Sequence, residues 1–219
     1  MKKFKFILSI ILILVISCNN NNEELNENTP IEILLIQERL DNNETPLEIF
    51  KSGISLSEIY GNFYKGGYIF YMDTNTGKGM VTGINNDLLF NIYWGGCSYS
   101  FETSSELWLG ESNTNLLKPY CLNELLPDKN NPIKFCESLN RNGYDDWFLP
   151  SKDEMFVLVT NLVDKNGFYF GRYFYWTSTN IDYDLAWAVS RYGDSSPKYK
   201  NPSLPSLSIG LRAIRYFDQ

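Results

Sequence analysis

The chain has 219 residues, 19 Lys+Arg, 26 Asp+Glu and no histidine, for a net charge of −7. The missing histidine excludes Ser-His-Asp and Cys-His nucleophilic catalysis, His-ligated zinc and any imidazole proton shuttle. The acidic balance argues against nucleic acid, whose affinity rests on neutralising phosphates.

The first element is an address. Lys2, Lys3 and Lys5 precede an apolar run from Phe6 to Ile16. That run is shorter than the ~20 residues a spanning helix needs, and it fits the hydrophobic region of a signal peptide. It ends Val15-Ile16-Ser17-Cys18, a pattern that resembles a bacterial lipobox. Residues 1–17 are therefore expected to be removed, with Cys18 acylated (palmitate among the chains) and holding the protein to a membrane of the cell envelope, the outer one expected. Loss of residues 1–17 takes three lysines and no acid, and moves the net charge to −10. Residues 18–28, the acylated cysteine and an Asn/Glu-rich stretch, read as a disordered tether.

Residues 29–60 read as short capped helices. Thr29-Pro30-Ile31-Glu32 and Thr45-Pro46-Leu47-Glu48 each place Thr at the N-cap, Pro at the first helical position and Glu at the third. Ser55-Leu56-Ser57-Glu58 repeats the capping pattern.

From Gly61 the period shortens. Gly67–Met72 and Gly79–Ile84 predict two strands of a hairpin, joined by the turn cluster Asp73–Lys78. The stretch from Gly61 to Phe70 reads as a tight turn into the first strand, with a folding role. Leu88–Trp94 is a third strand candidate. Residues 95–131 show no period and form a long connection of the kind that is usually functional or separately folded. Asn131-Pro132 predicts a helix running to Asn142-Gly143, with Ile133, Cys136 and Leu139 on one face. Trp147–Leu149 reads as a short strand. Ser151-Lys152-Asp153-Glu154 is a capping box ahead of the apolar stripe Met155, Leu158, Val159 and Leu162. Strands are expected at 174–178, 185–190 and 209–217. The order argues α+β with an antiparallel sheet and two main helices.

Beyond Cys18, Cys97, Cys121 and Cys136 remain. A Cys97–Cys136 bridge would close a loop of about 40 residues, for about 4 kcal/mol in the chain-entropy model. Cys121–Cys136 is the competing pair. No CxxC spacing occurs, so neither a metal nor a cofactor is expected.

Seven segments taken together resemble a bacterial family, the Lcl C-terminal-domain family named after a collagen-like adhesin: GNFYKGGYIFYMDTNTGKGMV (61–81), WGGC (94–97), LGESNTNLL (109–117), FCESLNRNGYDDWFLPSKDEM (135–155), YWTST (175–179), LAWAV (185–189) and LRAIRYF (211–217). The segment DNNETPLEIFKSGISLSEIYG (41–61) is similar to the lead-in of lipoprotein members. The resemblance implies a C-type lectin-like domain over 61–219, in the fold class of the formylglycine-generating (sulfatase-modifying) enzymes. There Leu149-Pro150-Ser151 with Glu154 is like an LPT-x-x-E-W segment, and 211–217 is like a closing strand. The reactive cysteines of those enzymes lie near that strand, and residues 197–219 hold none. The Glu-Pro-Asn and Trp-Asn-Asp motifs of calcium lectins are also absent, so calcium-dependent sugar binding is not implied.

Candidate ligand residues follow from residue type and place. Trp94, Tyr99 and Trp108 lie in or beside the long connection. Trp187 lies on a strand, as does Trp176, which reads as core. Residues 185–217 carry Arg191, Lys198, Lys200, Arg212 and Arg215 against Asp194 alone, a basic patch that could focus an anionic group. Asp146, in Asp145-Asp146-Trp147, reads as the partner of a buried Arg212 or Arg215, which point to opposite faces of the last strand. Trp147, Ser151 and Glu154 read as structural, and Asp182 and Asp184 as a solvated turn. The sequence thus predicts a non-catalytic lipoprotein whose domain binds a glycan, matrix polymer or envelope protein. The alternatives are an enzyme of the formylglycine-generating type and a structural, self-associating envelope protein.

Overall fold

The computed structural model describes residues 28–83, 94, 100–121, 131–163, 165, 167–200 and 209–218. Cys18, Cys97, Tyr99 and nearly all of the 88–94 strand candidate lie outside the described residues. Among the described residues the architecture is α+β, with six helices and two antiparallel sheets.

The chain enters through α1 (Asn28–Asp41), α2 (Pro46–Lys51) and α3 (Leu56–Ile59). The capping boxes Thr45/Glu48 and Ser55/Glu58 both form, each carboxylate reaching back to its cap residue. Helix α1 begins at Asn28, and the cap expected of the Thr29 side chain lies outside the described residues. Ile36 and Leu40 of α1 join Ile49 and Ile59 in a cluster with Ile69, Val81 and Phe217. The Gln37 side chain fixes the register by accepting from the Phe63 N–H and donating to its carbonyl.

The first sheet runs β1 (Phe63–Tyr64), β2 (Gly67–Met72), β3 (Gly79–Thr82) and β7 (Ile214–Phe217) in that spatial order. The β2–β3 turn closes as its residues require. The Asp73 carboxylate accepts from Asn75 N–H at 2.8 Å, and Gly77 supplies a φ of +75°. The second sheet holds β4 (Phe174–Asn180), β5 (Leu185–Ser190) and β6 (Ser195–Tyr199). β6 was not expected; it is an edge strand that carries Pro197 opposite Trp187.

Helix α6 (Lys152–Leu162) packs against strands of both sheets. Its stripe Met155, Leu158, Val159 and Leu162 meets Phe70, Met80 and Ile214 from one sheet and Tyr175 and Val189 from the other. The opposite face of the second sheet is covered by α4 (Gly110–Cys121) and α5 (Pro132–Ser138), with Trp94, Leu117, Ile133, Cys136, Trp176 and Ala188 in that cluster.

The long connection is folded in part, and two elements are shorter than expected. The long connection contains α4, held by tertiary bonds: Asn113 clasps the Ser104 N–H and carbonyl, and Thr114 bonds Leu149. Helix α5 stops at Ser138, and Asn142 (φ +51°) and Gly143 (φ +81°) make a separate turn bridged by Arg141 and Tyr144. The last strand covers only Ile214–Phe217, because the chain before it crosses between sheets: Gly210 bridges Tyr175 and Ile214 bridges Phe148.

The cysteine expectation is also corrected. Cys136 is a free, buried thiol, so neither Cys97–Cys136 nor Cys121–Cys136 forms. Cys121 is disulfide-bonded, to a cysteine outside the described residues.

Candidate ligand-binding site

The site is built around the segment that leads into α4. Residues 101–106 are pinned to the end of β4 and the start of α6. The Asn180 backbone N–H donates to the Thr103 hydroxyl and its side-chain amide to the Phe101 carbonyl, the Ser151 hydroxyl donates to the Glu106 carbonyl, and the Asp153 N–H donates to the Ser105 carbonyl. This delivers Trp108 and Gly110 to the N-terminus of α6, where Glu154 organises the junction.

Glu154 is fully buried. Its carboxylate accepts from Ser151 N–H at 2.7 Å, from Gly110 N–H at 3.4 Å and from the Tyr216 hydroxyl at 2.5 Å. One carboxylate therefore caps its own helix, anchors the start of α4 and holds the last strand. Burial raises its pKa against the pull of these donors, and burial followed by the Glu154 charge raises that of Tyr216.

Beside this junction lies an open cavity of about 520 Å³. Trp108, Tyr144 and Tyr216 supply aromatic walls, and Lys65, Lys78, Arg215, Glu111, Asp146 and Asp218 supply charge. Trp108 is half-buried and packs edge-on against Tyr71 and at a tilt against Tyr216, with centroids 5.9 and 5.1 Å away. Asp146 and Arg215 form a two-pronged pair at 2.6 and 2.8 Å. Arg215 also donates to the Lys65 carbonyl and covers the Tyr144 ring at 3.9 Å. Tyr144 lies flush on Gly66, where a Cβ would come within 2.4 Å of its ring.

Backbone strain gathers at this cavity. Among the described residues, four non-glycine positions have positive φ: Asn43, Lys65, Trp108 and Asn142. Asparagine visits that region readily, whereas lysine and tryptophan are costly there, by about 1–3 kcal/mol each. The two costly ones, Lys65 (φ +41°) and Trp108 (φ +70°), both line the cavity.

The structure separates Trp94, Trp187 and Arg191 from this site, and Tyr99 lies outside the described residues. Trp94 is 1% exposed and its indole N–H donates to the Thr177 carbonyl, so it is core and not a ligand platform. Trp187 is half-buried on β5 under the Lys152 ammonium, 5.2 Å from the ring centroid. Arg191 stacks on Tyr192 at 4.8 Å and donates to its hydroxyl. Trp176 is buried, as read, and Trp147 is buried with its indole N–H on the Tyr144 carbonyl.

The basic patch dissolves into separate jobs. Lys198 covers Phe174 at 3.9 Å, and Lys200 is buried over Trp94 at 4.5 Å. Arg212 is buried near the Phe168 and Phe170 rings and donates to the Tyr169 carbonyl at 2.6 Å, while Arg215 holds Asp146. Burial lowers the Arg212 pKa to about 10. Asp182 accepts from Asp184 and Leu185 N–H groups in an exposed turn.

Among the described residues, Trp108 is the predicted aromatic ligand residue that lines the cavity, and Arg215 of the basic patch lines it too. Lys65, Lys78, Glu111, Tyr144 and Tyr216 were missed. Only proximity in the fold joins them, although Lys65 lies in the Gly61–Phe70 turn that the sequence assigns to folding. No protein-family model matches the chain, and no curated protein matches it.

Proposed function

We propose that this chain is a lipid-anchored cell-envelope protein whose folded part recognises a glycan without catalysis, in the manner of a C-type lectin-like domain. The anchor rests on the Lys2-to-Cys18 sequence. The glycan reading rests on one observation: an open, aromatic-walled cavity lined with charged groups and carrying two strained non-glycine residues. A volume of about 520 Å³ falls inside the roughly 300–1,000 Å³ of small-ligand sites. A sugar presents an apolar C–H face to an aromatic wall and hydroxyls to charged side chains. Two carboxylates at the junction and cavity are engaged within the fold, Glu154 by three donors and Asp146 by Arg215. A glycan array probed with the full chain in detergent tests the reading. Selective binding that Trp108→Ala abolishes while the fold is kept supports it; a blank array, or binding indifferent to Trp108, overturns it.

A second reading, an envelope-protein partner, draws on a different surface. Phe156, Tyr173 and Tyr192 are each 45% exposed or more and meet around the Arg191–Gly193 turn. Tyr and Arg are the residue types enriched at protein interfaces.

A further inference from the structure

Three cations and three carboxylates line the cavity, and not all of them are paired with one another. Arg215 is held by Asp146 through two hydrogen bonds. Lys78 pairs with the Asp218 carboxylate at 3.6 Å. Lys65 differs: its ammonium reaches the main-chain carbonyl of Asp218, a neutral acceptor, and lies over the Tyr64 ring at 5.4 Å. The Glu111 carboxylate, exposed in the first turn of α4, has no ionic partner among the described residues. One ammonium, from the β1–β2 turn, and one carboxylate, from α4, thus have no ionic partner in the cavity they share.

We infer that the cavity takes a zwitterionic saccharide, a sugar residue that carries both a free amine and a carboxylate. The ligand amine meets Glu111, the ligand carboxylate meets Lys65, and the rings of Trp108 and Tyr216 face the sugar. This rests on the glycan reading above and narrows it to a chemical class. A ligand with only one charge would satisfy one leftover group and leave the other unmatched, and a ligand with a single sign would meet like charge at one end. The zwitterion matches both, and its ammonium gains further attraction from an aromatic face.

Titration calorimetry on the full chain in detergent tests this with five probes: muramic acid (amine and carboxylate), glucosamine (amine), glucuronic acid (carboxylate), glucose (neither) and γ-aminobutyrate (both charges, no sugar). Muramic acid is expected to bind about tenfold more tightly than the other three sugars, a difference of about 1.4 kcal/mol. Glu111→Gln is expected to remove its advantage over glucuronic acid, and Lys65→Gln its advantage over glucosamine. Thermal melts that match the unchanged chain show both variants to be folded. Equal binding of all four sugars, or an order that neither variant changes, overturns the zwitterion and leaves the glycan reading standing. Binding of γ-aminobutyrate with no sugar bound overturns the glycan reading and the saccharide half of this one. No binding of any probe overturns both.

Discussion

The Tyr216 hydroxyl donates to Glu154 Oε1 at 2.5 Å, tying the last strand to the N-terminus of α6 across 62 positions of sequence. Tyr216→Phe removes the donor and leaves a buried carboxylate oxygen short of one bond, so a loss of about 1–3 kcal/mol is expected in urea unfolding. The pH dependence has a definite sign. Burial raises the Glu154 pKa, so the folded state holds that proton more tightly than the unfolded one. The stability this contributes is full below the ordinary glutamate value and is lost as pH rises through the folded value. Glu154→Gln cannot titrate. The advantage of the unchanged chain over this variant should therefore be largest in acid and shrink as pH rises; a gap that widens with pH contradicts the assignment.

Gly110 exists for the same junction. A Cβ there would lie 2.1 Å from Glu154 Oε2 and 2.8 Å from the Ser151 nitrogen. The helix-forming gain of Gly→Ala, about 1 kcal/mol, is outweighed by the overlap and by displacement of a buried cap. Gly110→Ala should destabilise by about 1–3 kcal/mol net, whereas alanine at Gly53, which has open space but a φ of +103°, should lose only the backbone term. A calorimetric melt of Gly110→Ala equal to the unchanged chain would remove Glu154 from this role.

Asp146 and Arg215 make an asymmetric pair. The arginine side chain is 8% exposed and the aspartate 49%. Removing Asp146 leaves a nearly buried guanidinium with the Lys65 carbonyl and the Tyr144 ring, so Asp146→Ala should cost about 1–3 kcal/mol, below a fully buried pair because solvent screens the aspartate. Arg215→Lys should cost a similar amount, since an ammonium cannot reproduce the two-pronged geometry. Denaturant midpoints with an unchanged slope would report both. A null effect of Asp146→Ala would show that the pair adds nothing.

How much of this was legible follows from which forces are local. The capping boxes at Thr45, Ser55 and Ser151, the stripe of α6 and the β2–β3 turn depend on residues a few positions apart, and their spacing shows in the chain. Helix α4 does not. GESNTNLLKPYC has low helix propensity and a proline, and it is helical because Asn113 and Thr114 find partners 9 and 35 residues away. β6 was missed because an edge strand reading SSPKY lacks apolar alternation. The site was the least legible part. Its lining comes from segments spread between Lys65 and Asp218, and the positive φ of Lys65 and Trp108 is imposed by the fold, since neither residue type announces it.

Cys136 gives a chemical test of the core. It is a free thiol, wholly buried among Leu117, Ile133 and Trp176, and burial pushes its pKa well above that of an ordinary thiol. The thiolate is the reactive form, so iodoacetamide should leave Cys136 unmodified in the folded chain and label it on unfolding, read by mass spectrometry of its peptide. Rapid native labelling would show that the α4–α5 layer opens.

Lys200 predicts the opposite pH behaviour to Glu154. It is 5% exposed, its ammonium donates to the Asp182 carbonyl at 2.5 Å, and Trp94 covers it. Burial lowers its pKa to about 8, against the pull of Asp182 and Asp184. The folded state therefore binds fewer protons than the unfolded state between that value and the ordinary lysine range. The Lys200 contribution to stability rises with pH across this window. Lys200→Met should remove that rise, so the difference in melting temperature between the unchanged chain and the variant should shift in favour of the unchanged chain as pH climbs from about 8. Tyrosine ionisation at higher pH affects both chains and cancels in the difference. Parallel curves would mean that Lys200 stays solvated and that the Trp94 face is open to water.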